Sequence, residues 1–192
     1  MNRLATFLIM IFIISCQTTE KESSEVVKEE FNWKTDVENT IKQYGHRNWI
    51  VIADSAYPVQ SNPAIKTITI NESQIETVEF VSKLIDKAPH VHANIFIDKE
   101  MGYVQENDAP GIEKYRSNLL DVLKGKHTET MLHEVIIREL DASAKLFDIL
   151  IIKTDLAIPY TSVFFQLECG YWNAEAENNM RQLLEKASSN EP

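Results

Sequence analysis

Two residues eight positions apart, His46 and Asp54, are the pair in this chain best suited to move a proton. They bracket the apolar run Trp49–Ala53, which has strand length and enough apolar character to be buried on both faces. Open α/β sheets bind ligands at the carboxyl ends of their strands, so Asp54 falls where a crevice is expected. Imidazole titrates near neutral pH, which suits His46 to take and return a proton within one reaction cycle. The same residues allow a plainer account, in which Gly45-His46 ends a helix and Asp54 caps the turn before Pro58.

The elements that must position this pair follow from periodicity. Val37, Ile41 and Tyr44 make a helical stripe over residues 35–44 that Gly45 can end. Trp49–Ala53 is predicted to be a buried strand and residues 65–70 a more exposed one. Ile75, Val78, Val81, Leu84 and Ile85 predict a helix over 73–85. Strand 90–97, helix 111–123, strand 134–138, helix 142–147, strands 149–152 and 163–167, and a final helix 174–186 complete the order. Such alternation predicts a single α/β domain with helices packed on a sheet.

Several blocks resemble the RbsD/FucU family of sugar mutarotases, the D-ribose pyranases and L-fucose mutarotases. His46, Asp54 and Pro58 are similar to that family's Gly-His-Gly-Asp or Gly-His-Thr-Asp helix end, apolar strand, and Asp eight residues after the His. The run from Gly111 to Leu119 looks like the Glu-Arg-Arg-Tyr-Arg-Asn-Ala-Leu helix of the fucose branch. Pro159-Tyr160-Thr161-Ser162-Val163 parallels the closing Tyr-Gly-Asn-Ile or Tyr-Ala-Asn-Ile, and Arg138 precedes Tyr160 by the fucose-type interval. The chain departs from the pattern at Arg47 and Asn48, where the family has Gly or Thr and then Asp, and at Ser162, where it has Asn.

The resemblance implies a mixed β-sheet and a sugar isomerase that opens and recloses a cyclic hemiacetal. His46 is then the acid-base group, Asp54 and Arg138 hydrogen-bond sugar hydroxyls, Tyr160 orients the sugar or shuttles a proton, and Ser162 stands at the substrate-contacting Asn. Arg138 could instead be a solvated strand end, and Tyr160 a turn aromatic. The chemistry requires no metal, nucleotide or other cofactor. The family's rings, with pockets at subunit boundaries where the Tyr block of one chain meets the His of the next, imply a homo-oligomer. The rival expectation is a non-catalytic sugar-binding or structural envelope lipoprotein on the same scaffold.

Residues 1–15 read as a bacterial lipoprotein signal peptide: Arg3, an apolar stretch too short for a membrane span, and Ile13-Ile14-Ser15-Cys16 as the cleavage box. Cys16 would carry the lipid and hold the protein at the cell envelope, facing the periplasm. A plain secretory signal or uncleaved anchor is the alternative. Residues 16–30, polar and Glu-rich, read as a flexible tether, 31–172 as the domain, and 173–192 as a helical extension. The formal charge of −10 becomes −11 once Arg3 is removed, which argues against nucleic acid as a partner. His90 and His92, two apart on a strand, are a candidate metal pair without an evident third ligand, and His127 and His133 are expected at the surface. No phosphate-cradling glycine loop or nucleophile elbow is present among the five glycines.

Overall fold

The computed structural model describes residues 32–189; the expectations for residues 1–30, Cys16 included, fall outside them. Six strands form one mixed sheet in the order β2 (Ile65–Thr69), β5 (Ile149–Lys153), β1 (Trp49–Ala53), β6 (Val163–Cys169), β3 (Val91–Asp98), β4 (Thr128–Met131). Only β6 runs against its neighbours, pairing antiparallel with both β1 and β3. The carboxyl ends of the other five therefore share one edge of the sheet with the start of β6, and the opposite edge carries the approach to β1 and the end of β6.

Alternation along β1 sorts the core into two layers. Ile50 and Ile52 face a large cluster with Val37 and Ile41 of α1 (Trp33–Gln43), Val78 and Val81 of α2 (Gln74–Lys87), and Leu119 of α3 (Ile112–Val122). Trp49, Val51 and Ala53 face a smaller one with Ile136 and Leu140 of α4 (His133–Ser143). Both faces are covered, which is why the strand reads as an unbroken apolar run rather than an alternating one. The fifth helix, α5 (Ala174–Ser188), buries none of its residues, and Leu183 and Leu184 are exposed. Among the described residues no helix is long and apolar enough to cross a membrane.

Three expectations need correction. Residues 134–138 belong to helix α4, not to a strand, and the separate helix at 142–147 is the end of α4 and the turn after it. Val135-Ile136-Ile137 has strand composition, but Ile136 and Leu140 are the buried pair, and their spacing is helical. The start of α4 carries no local cap: its N-cap is Leu132, and the first backbone N–H, at His133, is satisfied by the distant Glu100 carboxylate at 3.0 Å. Strand β4 is an edge strand of polar and half-exposed residues, so it offered no apolar alternation to read. Helix α1 ends at Gln43, where Tyr44 turns extended, ahead of Gly45.

Candidate functional site

The carboxyl edge of the sheet opens into a crevice of about 510 Å³ lined by Asp54, Tyr57, Pro58, His133, Ile137 and Tyr160, among others. Asp54 follows the last residue of β1, and its Oδ1 accepts the Ala56 N–H at 2.8 Å, closing an Asx turn that fixes the carboxylate at the rim. Tyr160 sits in the connection from β5 to β6 with φ of 57°, a left-handed backbone that turns its ring outward, where it is 41% exposed. The imidazole of His133 meets that ring edge to face, centroids 5.7 Å apart.

Behind His133 lies Asp98, the last residue of β3 and only 1% exposed. Its Oδ1 is 3.0 Å from His133 Nδ1, while Oδ2 is buried without a hydrogen-bond partner. Burial pushes the Asp98 carboxyl up to about 6, and the hydrogen bond and charge of His133 pull the other way. A carboxylate on Nδ1 fixes which nitrogen carries the proton and how the ring is oriented, leaving Nε2 for chemistry. Asp98 and His133 are therefore site residues that the sequence reading missed. The sequence puts His133 in a polar connection because the helix it opens is capped from 33 residues away, and it carries no mark on Asp98, since a strand-end Asp looks like any turn residue.

The floor of the crevice is tied to the core by a buried polar network. Gln74, 2% exposed, donates from Nε2 to Thr161 O at 2.5 Å and contacts the Tyr115 hydroxyl at 2.9 Å. Tyr115 donates to the same Thr161 carbonyl at 2.7 Å. Thr154, after β5, donates to Gln74 Oε1 at 2.9 Å and approaches Ala53 O at 3.1 Å. The residues flanking Asp54 and Tyr160 are thus fixed by α2 and α3. Burial pushes the Tyr115 phenol well above its ordinary range, keeping it a donor.

His46 is not at this crevice. It precedes β1 and so stands at the opposite sheet edge; at about 3.3 Å per residue, β1 alone sets it well over 10 Å from Asp54. His46 lines a second cleft, of about 710 Å³, with His92, Glu168, Cys169, Tyr171 and Trp172. Its neighbour Arg47 has φ of 76°, the left-handed backbone that favours glycine, which accounts physically for a Gly at this place in resembling chains. Asn48 accepts the Gly45 N–H at 2.9 Å and donates from Nδ2 to Asp148 O at 3.0 Å, a staple that a carboxylate could make only in part.

The remaining candidates lie apart. Arg138 is exposed on α4 and outside the crevice lining, and Ser162 is buried at the start of β6, also outside it. His90 Nε2 lies 3.1 Å from both Ile41 O and Tyr44 O, anchoring the end of α1, and His92 Nδ1 is 3.1 Å from Cys169 O. Gly170 ends β6 so close to the chain before β3 that a Cβ would lie 2.8 Å from Val91 N.

A mixed sheet covered by helices on both faces, with a carboxylate, an imidazole and a phenol around a crevice at its carboxyl edge, defines an α/β protein whose polar groups converge where open sheets of this kind bind ligands. The chain belongs to the RbsD / FucU transport protein family, matched over residues 32–170. Its fold is similar to that of Bacillus subtilis RbsD complexed with D-ribose, with 16% identity, 73% of this chain and 97% of that chain covered, and a TM-score of 0.51. The fucose mutarotase of Streptococcus pneumoniae in complex with L-fucose aligns at 21% identity over 69% of this chain and 91% of that one, with a TM-score of 0.47. No protein of curated function matches the chain.

Proposed function

We propose that this protein binds a monosaccharide in the Asp54–His133–Tyr160 crevice and interconverts its anomers or ring forms by acid-base catalysis. The observation that carries the reading is the crevice itself, where hydrogen-bonding groups of three kinds converge at a carboxyl strand edge in a space sufficient for one sugar. Membership of the RbsD / FucU family supports it, as does the likeness of the fold to a protein complexed with D-ribose.

Ring opening needs a base to take the proton of the anomeric hydroxyl and an acid to protonate the ring oxygen as the bond from the anomeric carbon to that oxygen breaks and the carbonyl forms. In this reading His46 is the base, Tyr160 delivers the second proton, and Asp54 and His133 hold hydroxyls. Both protons return on reclosure. Because His46 and Asp54 occupy opposite edges of one sheet, His46 must enter the crevice of a second copy, so the protein acts as a homo-oligomer. Arg138, exposed on α4 beside the crevice-lining Ile137, is free to contact a sugar hydroxyl in this reading.

One observation favours a second reading, sugar binding without turnover: Arg47 Nε lies 3.2 Å from His46 Nε2 and occupies the nitrogen that would take the proton. Saturation-transfer NMR on ribose, fucose, galactose and glucose separates the two, since the enzyme exchanges magnetisation between anomers and the binder only broadens lines. Light scattering that gave a monomer at micromolar concentration would remove the shared-site mechanism. We place the protein at the cell envelope through a lipid on Cys16. A palmitate analogue should label wild type, and a labelled Cys16→Ser protein would refute that placement.

A further inference from the structure

The structure assigns Glu168 as the positioning residue of His46, holding the neutral imidazole with its proton on Nδ1 so that Nε2 starts the reaction as a base. The inference rests on the proposed role of His46 and deepens it. Glu168 Oε2 lies 2.5 Å from His46 Nδ1, and an ionised carboxylate can only accept a hydrogen bond. On the other side, Arg47 Nε lies 3.2 Å from Nε2, and a guanidinium can only donate. The two neighbours thus demand the same tautomer, with the proton on Nδ1 and the lone pair on Nε2.

Backbone pairing puts Glu168 there. Arg47 N donates to Leu167 O at 2.8 Å and Leu167 N to Asn48 O at 2.9 Å, extending the pairing of β1 with β6 past the strand end. This brings the side chain of Glu168, half-buried at 26%, alongside the imidazole of the residue before Arg47. The other titratable side chains lining this cleft are His92, Cys169, Tyr171 and Glu177, and among the described residues only Glu168 and Arg47 bond the His46 ring.

The arrangement orders the events at His46. An anomeric hydroxyl displaces the Arg47 Nε–H from Nε2 and transfers its proton there, and the resulting imidazolium is stabilised by Glu168 across the ring. On reclosure the same nitrogen returns the proton. With Glu168 gone, only the longer, exposed contact from Arg47 still favours the proton on Nδ1, and once that donor also leaves, neutral imidazole takes its usual preference for the proton on Nε2, where the nitrogen facing the sugar has no lone pair to offer.

The test is long-range proton–nitrogen NMR of the full chain labelled on histidine nitrogen, above the imidazole titration range, with His46 identified by its loss in His46→Ala. Wild type and Arg47→Ala are expected to show the Nδ1–H form, and Arg47→Ala combined with Glu168→Ala, in which neither neighbour bonds the ring, chiefly the Nε2–H form. Glu168→Gln, whose carbonyl still accepts from Nδ1, should keep part of the wild-type signal and checks that the effect is not misfolding. Anomer exchange in Glu168→Ala should fall at least about tenfold in kcat with KM nearly unchanged, a part of the 10²–10⁴-fold that a positioned acid-base group contributes. A tautomer that Glu168→Ala leaves unaltered in the Arg47→Ala background would overturn the assignment. A switched tautomer with undiminished exchange would uphold it and instead overturn the role proposed for His46.

Discussion

The Asp98 carboxylate, 1% exposed, stands 3.0 Å from the Nδ1 of His133 and turns that imidazole toward the crevice as an oriented, single-tautomer group. Two residues 35 positions apart on different elements thus act as one polar unit at the carboxyl edge of the sheet.

That unit gives stability a pH signature. Asp98 titrates at about 6 in the folded protein because of its burial, against about 4 for an unfolded Asp. The folded state therefore holds the proton more tightly, and the resulting stability is fully present below pH 4 and lost as pH rises through 6. The difference in urea midpoint between wild type and Asp98→Asn should shift against wild type across that window and stay flat above pH 7. A difference independent of pH would show that Asp98 titrates as an ordinary carboxylate.

The proposed sharing of the site between copies predicts complementation. His46→Ala should abolish anomer exchange with a modest loss of affinity, whereas Asp54→Ala should weaken sugar binding by the roughly 1.5 to 3 kcal/mol of a charge-assisted hydrogen bond. Unfolding the two variants together and refolding the mixture should restore exchange, because some boundaries then join a wild-type His46 to a wild-type Asp54. If the mixture is no more active than its parts, the site does not lie between copies.

Arg47 is the departure whose effect can now be signed. Arg47→Gly relieves a left-handed backbone that costs a non-glycine residue about 1 to 2 kcal/mol, offset by the greater freedom of glycine in the unfolded chain. Urea unfolding should show a change between zero and about 1 kcal/mol in favour of the variant. Exchange should rise, since His46 Nε2 loses its resident donor; slower exchange would mean that the guanidinium takes part in the reaction.

Gln74→Leu tests the network beneath the crevice. It removes three hydrogen bonds: Thr154 Oγ1 keeps only Ala53 O as an acceptor, the Tyr115 oxygen loses a donor while its O–H still reaches Thr161 O, and Thr161 O has one donor fewer. At about 0.5 to 1.5 kcal/mol for each of the three, the loss should be roughly 1.5 to 4.5 kcal/mol by chemical denaturation. A loss below 1 kcal/mol would mean that these groups find other partners.

Elements whose stabilisation is local and apolar were legible from sequence. Trp49–Ala53 was bounded to the residue, because five consecutive buried side chains flanked by His46 and Asp54 admit little else. That Asp54 and Tyr160 line one crevice agrees with the turn chemistry and spacing that single them out in the sequence. Helix α4 and His133 were lost for the opposite reason, since the group that starts the helix, Glu100, lies far off in sequence. The separation of His46 from Asp54 was hidden by the strand between them: residues adjacent in a motif stand at opposite ends of whatever element the motif encloses.

Connections at ligand sites usually belong to the least protected part of a protein. The turn before β6 is built otherwise, because the Thr161 carbonyl receives both Gln74 and Tyr115 inside the core while Thr161 Oγ1 donates to Ile158 O at 2.8 Å. The chain beside Tyr160 is accordingly held in place by the core, despite the surface position of that ring. Little ordering is then left for an incoming sugar to impose, so its affinity is drawn down less by lost chain entropy and should vary little with temperature-driven loosening of the surrounding loops.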